Sequence, residues 1–247
     1  MQNQALTENK KPILLAFAEI ISYLCNIKQR IGLACGATNN KPPNKILNIM
    51  ATLNNNTNNV MAQDKKYILL ENDTITMYNG VTLYRIKAIR DFGKVKAGDL
   101  GGYIKGEHNL SHEGTCWVSD NAQVCNDAKV LEDAQIYGSA CVHGFAYVYG
   151  NARVYGNAEV HGDSHVYGNA QIYGKADIAG FVRIYGNAQV YGNARVYDSK
   201  YVQLDRVYAN TRVYGNAQVY GNAEVYENGQ VYGNTQVYGD SKVCDDW

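Results

Sequence analysis

Ala188-Gln189-Val190-Tyr191-Gly192-Asn193 is the undisturbed copy of a six-residue unit that runs from Val118 to Val243. An aliphatic residue returns every sixth position from Val118 through Val130, Val148, Ile172 and Val196 to Val202. After one five-residue step it resumes at Val207 and continues to Val243. Two residues earlier stands a small residue, as at Ala122, Ala134, Ala152 and Ala188. Apolar positions two apart share one face of an extended segment, whereas residues six apart fall on different faces of a helix. Gly and Asn then tolerate the positive φ of a tight corner. A unit this short cannot bury its apolar face alone and must stack on its neighbours, so the chain is expected to form a parallel β-helix.

An aliphatic residue followed four places later by a small one, as at Val148/Ala152, Val154/Ala158 and Ile184/Ala188, resembles the hexapeptide-repeat family. That resemblance implies an all-β fold: a left-handed parallel β-helix of triangular section with three units per coil. Twenty-two units then make about seven coils, a prism about 34 Å long at about 4.8 Å per coil. Ahead of the prism, residues 61–115 read as a small β-rich cap. Tyr67 to Leu70 is one strand candidate, and Thr74 to Tyr78 and Val81 to Ile86 flank the hairpin signal Asn79-Gly80. Gly98 to Gly102 lacks the lysine of a phosphate-binding loop and reads as a turn chain leading into the first coil. The string from Leu83 through Val95-Lys96-Ala97-Gly98-Asp99-Leu100-Gly101-Gly102-Tyr103-Ile104 to Cys116-Trp117-Val118 resembles the YdcK-like branch, met in bacteriophages and prophages.

Residues 1–60 differ in composition. Pro12 to Ile31 reads as a candidate N-terminal helix, too short and interrupted to span a bilayer, and Asn39 to Asn59 reads as an Asn-rich linker. Lys28 and Arg30 after the apolar run, with no small-residue cleavage site, argue against export. Charge is balanced, with 23 basic and 23 acidic residues, which leaves no electrostatic footprint for nucleic acid. Six cysteines without framework spacing read as reduced thiols of a cytoplasmic protein.

Function must lie outside the prism, because Val and Ala fill its interior. Residues eighteen apart stack, so the outward columns can be written down. One column carries Ser119, Tyr137, Tyr155, Tyr173, Tyr191, Tyr208 and Tyr226; another carries Leu131, Tyr149, Tyr167, Tyr185, Gln203, Tyr220 and Tyr238. Tyrosine ladders stiffen a prism and also suit interfaces, since an apolar ring with a polar tip tolerates both burial and water. Tyr137, Tyr155, Tyr173, Tyr191, Tyr149, Tyr167, Tyr185 and Tyr220 are therefore the expected protein interface. Self-association is the expected form, and the resemblance implies a trimer; a host protein is a further candidate partner. The remaining column reads Cys125, His143, His161, Ala179, Tyr197, beside Gln123, Cys141, Glu159, Asp177, Arg195. Cys125, Cys141, His143, Glu159 and His161 are ligand types for zinc, although flat strands hold them in columns rather than a tetrahedron and the imidazoles also serve as stacking rings.

The largest family on this fold transfers acyl groups from coenzyme A with a histidine base. His143 and His161 are the candidate bases here, but no invading loop interrupts Val118 to Val202 to wall a cleft. The expectation is a non-enzymatic structural and interaction module with no cofactor, no nucleic acid and no membrane partner; an acyltransferase-like enzyme is the alternative. At the slip, Lys200 occupies an inward position and is expected to turn outward through a bulge.

Overall fold

A computed structural model describes residues 65–77, 79–197 and 211–244, all within one contact unit, residues 58–247. The candidate N-terminal helix, the Asn-rich linker, Lys200 and residues 245–247 lie outside the described residues. Those described contain no α-helix, one 3-10 turn at Glu107–Asn109, and twenty-three strands. Twenty of the strands, from Trp117–Val118 to Lys242–Val243, are two or three residues long and build the solenoid. Every third strand stacks on its neighbour in parallel, which gives three sheets, three strands per coil and about seven coils. The all-β parallel solenoid expected from the period is thus the fold observed.

Val, Ile and Ala of the repeat point inward and are fully buried, among them Val154, Ile172, Ala188 and Val190. Coils are joined by backbone bonds such as Tyr155 N–H to Ile172 O at 2.9 Å and Asn157 N–H to Gly174 O at 2.7 Å. At the corner glycines two requirements coincide. Gly174 has φ +74°, and a Cβ there would stand 2.8 Å from the nitrogen of Gly192 in the next coil. In the first coil Asp120 and Glu132 adopt the positive φ instead, and their carboxylates accept from Gly138 N–H and Gly150 N–H, each at 2.8 Å.

The cap comprises β1 (Tyr67–Thr76), β2 (Thr82–Ala88) and β3 (Leu100–Ile104). β1 and β2 form the expected hairpin, with a correction: Tyr67 to Leu70 and Thr74 onward are one strand, interrupted by a register shift between Leu70 and Thr74. β3 pairs antiparallel with β2 and parallel with Gln123–Val124, so the cap is continuous with one solenoid sheet. The Gly98 to Gly102 run is only partly a turn chain. Gly101 and Gly102 lie in β3, where a Cβ would meet Ile86 Cγ1 at 2.4 Å and Ala122 O at 2.5 Å. Close packing of cap on coil is what requires glycine there. Lys66, fully buried, ties the junction by donating from Nζ to the carbonyls of Cys116, Glu113 and Gly114 at 2.9, 3.2 and 3.3 Å.

Partners are eighteen positions apart up to Tyr197, but Arg183 pairs with Arg212 and Gln189 with Gln218, twenty-nine apart. The chain between Tyr197 and Thr211 thus holds eleven residues more than a coil needs. The expected one-residue slip is corrected to an eleven-residue excess, and every column beyond it shifts.

Gly174→Ala should cost about 1–2 kcal/mol from positive φ alone, and more from the contact with Gly192. Gly233 has φ +65° with nothing within 4 Å of a built Cβ, so Gly233→Ala should cost less. Equal losses in urea unfolding followed by circular dichroism would show that coil stacking does not constrain the corner.

Candidate functional site

The outward faces carry ladders. On the seven-stranded sheet Tyr137, Tyr155, Tyr173, Tyr191, Tyr220 and Tyr238 stack at centroid spacings of 4.7 to 5.5 Å. On the six-stranded sheet Tyr149, Tyr167, Tyr185, Tyr214 and Tyr232 stack at 4.9 to 5.6 Å. Rings nearly parallel at these spacings are offset, the arrangement their quadrupoles favour. Seven of the eight expected interface tyrosines fall in their expected columns. Tyr220 is the correction: it continues the column of Tyr191, not that of Tyr185, because of the excess before Thr211. Tyr226 stacks beneath Tyr197, and Tyr238 also changes column. Tyr214 and Tyr232 were missed for the same reason. Tyr208 and Gln203 lie outside the described residues.

A second regularity runs diagonally. Tyr155 Oη approaches Gln171 Oε1 at 3.4 Å, and Tyr173 approaches Gln189 likewise; the partners are sixteen apart, ring on one coil and amide on the next. On the ten-stranded sheet the same diagonal joins His143 Nε2 to Glu159 Oε1 at 2.7 Å and His161 Nε2 to Asp177 Oδ1 at 3.1 Å. Cys125 and Cys141 occupy the diagonal before them, and the Cys125 thiol donates to Asn126 Oδ1 at 3.2 Å. The two imidazoles stack at 4.9 Å, 4° from parallel, and Arg195 Nε lies 3.7 Å from Asp177 Oδ2. The Cys/His/carboxylate patch expected from the columns therefore exists, but as a staircase of pairs. Among the described residues no three His, Cys, Asp or Glu side chains are placed to hold one metal ion.

The hydrogen bond to Asp177 raises the pKa of His161 against the opposing effect of burial, and the same bond lowers that of Asp177. The neighbouring Cys125 thiol and burial push the Cys141 thiol up. Burial holds His165 below the usual imidazole value. A hollow of about 450 Å³ lies at the cap junction, lined by Ser111, Glu113, Gly114, Leu131, Glu132 and Asp133. None of the candidate histidines or cysteines lines it.

These features define a parallel β-solenoid with three sheets and stacked side-chain ladders on its outer faces. A family model described as the YdcK beta solenoid repeat matches residues 146–162, 188–201 and 217–233, so the chain is similar to that family over these repeats. No curated protein matches the chain.

The raised His161 contributes stability that is fully present below the unfolded imidazole value of 6.5 and is lost as pH rises through its folded pKa. The lowered Asp177 contributes stability present above 3.8 and lost as pH falls through its folded pKa. The pair should thus stabilise most between these limits. His161→Gln should cost under about 1 kcal/mol near pH 5.5, since both groups are about a third exposed, and less near pH 8.5. Urea midpoints across pH check this, and a gap that widens toward alkaline pH would overturn the pairing.

Proposed function

We propose that the protein is a non-enzymatic structural and interaction module, encoded by a phage or prophage and acting in the host cytoplasm, that binds protein partners through the outer solenoid faces. One observation carries this reading: two tyrosine ladders run unbroken along two faces and cross the irregular stretch without loss of stacking. Aromatic surface of this extent suits protein contacts, and a repeating flat face suits a second copy of itself. The partner is first another copy of the chain, as a trimer, and then a host protein. Balanced charge gives no support for nucleic-acid binding. Among the described residues no helix is long and apolar enough to cross a membrane.

A second reading, acyl transfer, draws on the 2.7 Å contact between His143 and Glu159, an imidazole oriented by a carboxylate as a general base would be. Its weakness is that the pair repeats the diagonal used structurally by tyrosine and glutamine elsewhere.

Native mass spectrometry of the full chain, alone and with zinc or acetyl-coenzyme A, separates the readings. The module reading expects a bare trimer that takes up neither ligand. Tyr173→Ser with Tyr191→Ser, or Tyr167→Ser with Tyr185→Ser, should dissociate it while the far-ultraviolet spectrum persists. A monomeric wild type would remove self-association. Coenzyme A uptake lost in His143→Ala would replace the module by the enzyme.

A further inference from the structure

The corners of the prism are also columns: one is an asparagine chain over most of its length, and a second reads Asn121, Ser139, Asn157 and Lys175 before it ends in an amide chain. Between the six- and seven-stranded sheets, Asn151 donates from Nδ2 to Asn169 Oδ1 at 3.2 Å. Asn169, Asn187 and Asn216 continue that amide chain at 3.0 Å. On the corner between the seven- and ten-stranded sheets, Asn193 donates to Asn222, which donates to Asp240. The corner between the ten- and six-stranded sheets follows neither pattern. Its equivalent positions, eighteen apart, are Asp127, Phe145, Asp163 and Phe181. Backbone bonds join the first three, with Asp127 N–H on Gly144 O at 2.9 Å and Phe145 N–H on Gly162 O at 2.7 Å, and Phe181 is placed by the pairing of the flanking strands, Val160 with Ile178 and His165 with Arg183.

Phe145 and Phe181 are 61% and 59% exposed, in a solenoid whose other apolar side chains point inward or stack in ladders. Replacing an amide that would bond its neighbours by an exposed phenyl ring loses a hydrogen bond and gains no burial. Packing therefore does not explain these residues. The corner is also fastened differently. Ser164 takes the inward small position, its Oγ 2.6 Å from His161 O and 2.9 Å from Gly180 O, so its one O–H is shared between two carbonyls. A Cβ on Gly162 would meet Gly180 N at 2.5 Å, closer than the equivalent contact at Gly138, Gly144, Gly150 or Gly174. The exposed rings stand on a closely packed support.

Charge completes the argument. Asp127 is exposed, and the Asp163 side chain is 45% exposed. The ion-pair neighbour of Asp163 among the described residues is His165 Nε2 at 3.9 Å. Burial lowers the pKa of that imidazole, so near neutral pH it leaves the carboxylate uncompensated. Among the nearby cations, Lys129 Nζ stands over the Tyr147 ring at 5.4 Å, and Arg183, which has a contact of its own, stacks on His165. With coils about 4.8 Å apart, Asp163 stands one coil from Phe145 and one from Phe181, so a cation drawn to its carboxylate has an exposed ring on either side, within reach of the roughly 6 Å range of cation–π attraction. The two carboxylates recur at about 9.6 Å, close to the roughly 9.3 Å that separates every third residue of a polyproline II strand.

We propose that Asp127, Phe145, Asp163 and Phe181 form a two-seat cradle for a basic, extended segment of a protein partner, with arginine or lysine at every third residue. The proposal names partner chemistry for the interaction-module reading, but its test uses a peptide and does not depend on oligomer formation.

The full chain, labelled at phenylalanine, is titrated with acetyl-Arg-Pro-Pro-Arg-amide and with the same peptide carrying neutral citrulline for arginine. The protein has only four phenylalanines, so the ring signals are few. Phe145 and Phe181 should shift saturably, with a millimolar or tighter dissociation constant, while Phe92 does not. The citrulline peptide and Asp163→Asn should each weaken binding about tenfold, and Phe145→Asn with Phe181→Asn should abolish it at an unchanged melting temperature. Those substitutions install the residue other corners carry, so folding is expected to survive. Equal binding of the citrulline peptide, unchanged affinity in the folded double variant, or absence of saturable shifts would each overturn the cradle. A trimer that persisted through such a failure would leave the ladder reading standing.

Discussion

The hydrogen bond between successive coils is the constraint from which the rest follows. Each outward residue donates to a carbonyl one coil on, as Tyr167 N–H does to Ile184 O at 2.9 Å and Tyr173 N–H to Val190 O at 3.0 Å. Parallel pairing in strict register puts identical positions directly above one another at about 4.8 Å. Side chains have no freedom to avoid their vertical neighbours, so each column must hold residues that tolerate what is stacked on them. Tyrosine does so by offset stacking, asparagine by amide chains, and glycine by leaving the corner empty. Charged residues use both directions on the ten-stranded sheet: Asp177 meets Arg195 and Glu224 meets Lys242 within one column, whereas His143 meets Glu159 and His161 meets Asp177 on the diagonal.

A parallel stack leaves an open edge at each end, and the N-terminal edge is closed by changing strand direction. β3 accepts the antiparallel hairpin on one side and the first coil on the other. The exchange needs backbones in close approach, provided by Gly101 and Gly102, and a link across the junction, provided by Lys66. Its ammonium is desolvated but faces three carbonyls, so burial is compensated by hydrogen bonds rather than by one countercharge. At the far end the inward small positions change from Ala to Gly229, Thr235 and Ser241. A polar last coil is the expected terminus of a solenoid.

Periodicity made the solenoid, its inward residues and the ladders up to Tyr191 legible, because register is carried by residues whose chemistry differs inside and out. It failed where the chain imitates the pattern. Val202 and Val207 continue the aliphatic series with a single five-residue step, whereas the paired strands on either side are twenty-nine residues apart, so spacing alone puts Tyr220 and Tyr238 in the wrong column. It failed again at Glu71 to Asp73, whose polar run reads as a break although it is a bulge within β1. The diagonal pairs were hidden for another reason. A list of columns shows what stacks vertically, whereas Tyr155 with Gln171 and His143 with Glu159 relate different columns on successive coils.

Departures from the repeat carry more information here than the repeat does. A tyrosine in a ladder is explained by the ring above it, and the His143–Glu159 pair is explained by the diagonal it shares with tyrosine and glutamine. Neither argument reaches the corner at Phe145 and Phe181, where stacking, burial and amide pairing are all given up. The same three coils hold Ser164 in place of alanine and the closest glycine contact of the central corners, so the deviation is local and structurally supported. In a fold that makes every coil equivalent, a function confined to one height on the prism has to be written as such a deviation. The ladders suit association along the whole length, and the phenylalanine corner suits recognition at one place.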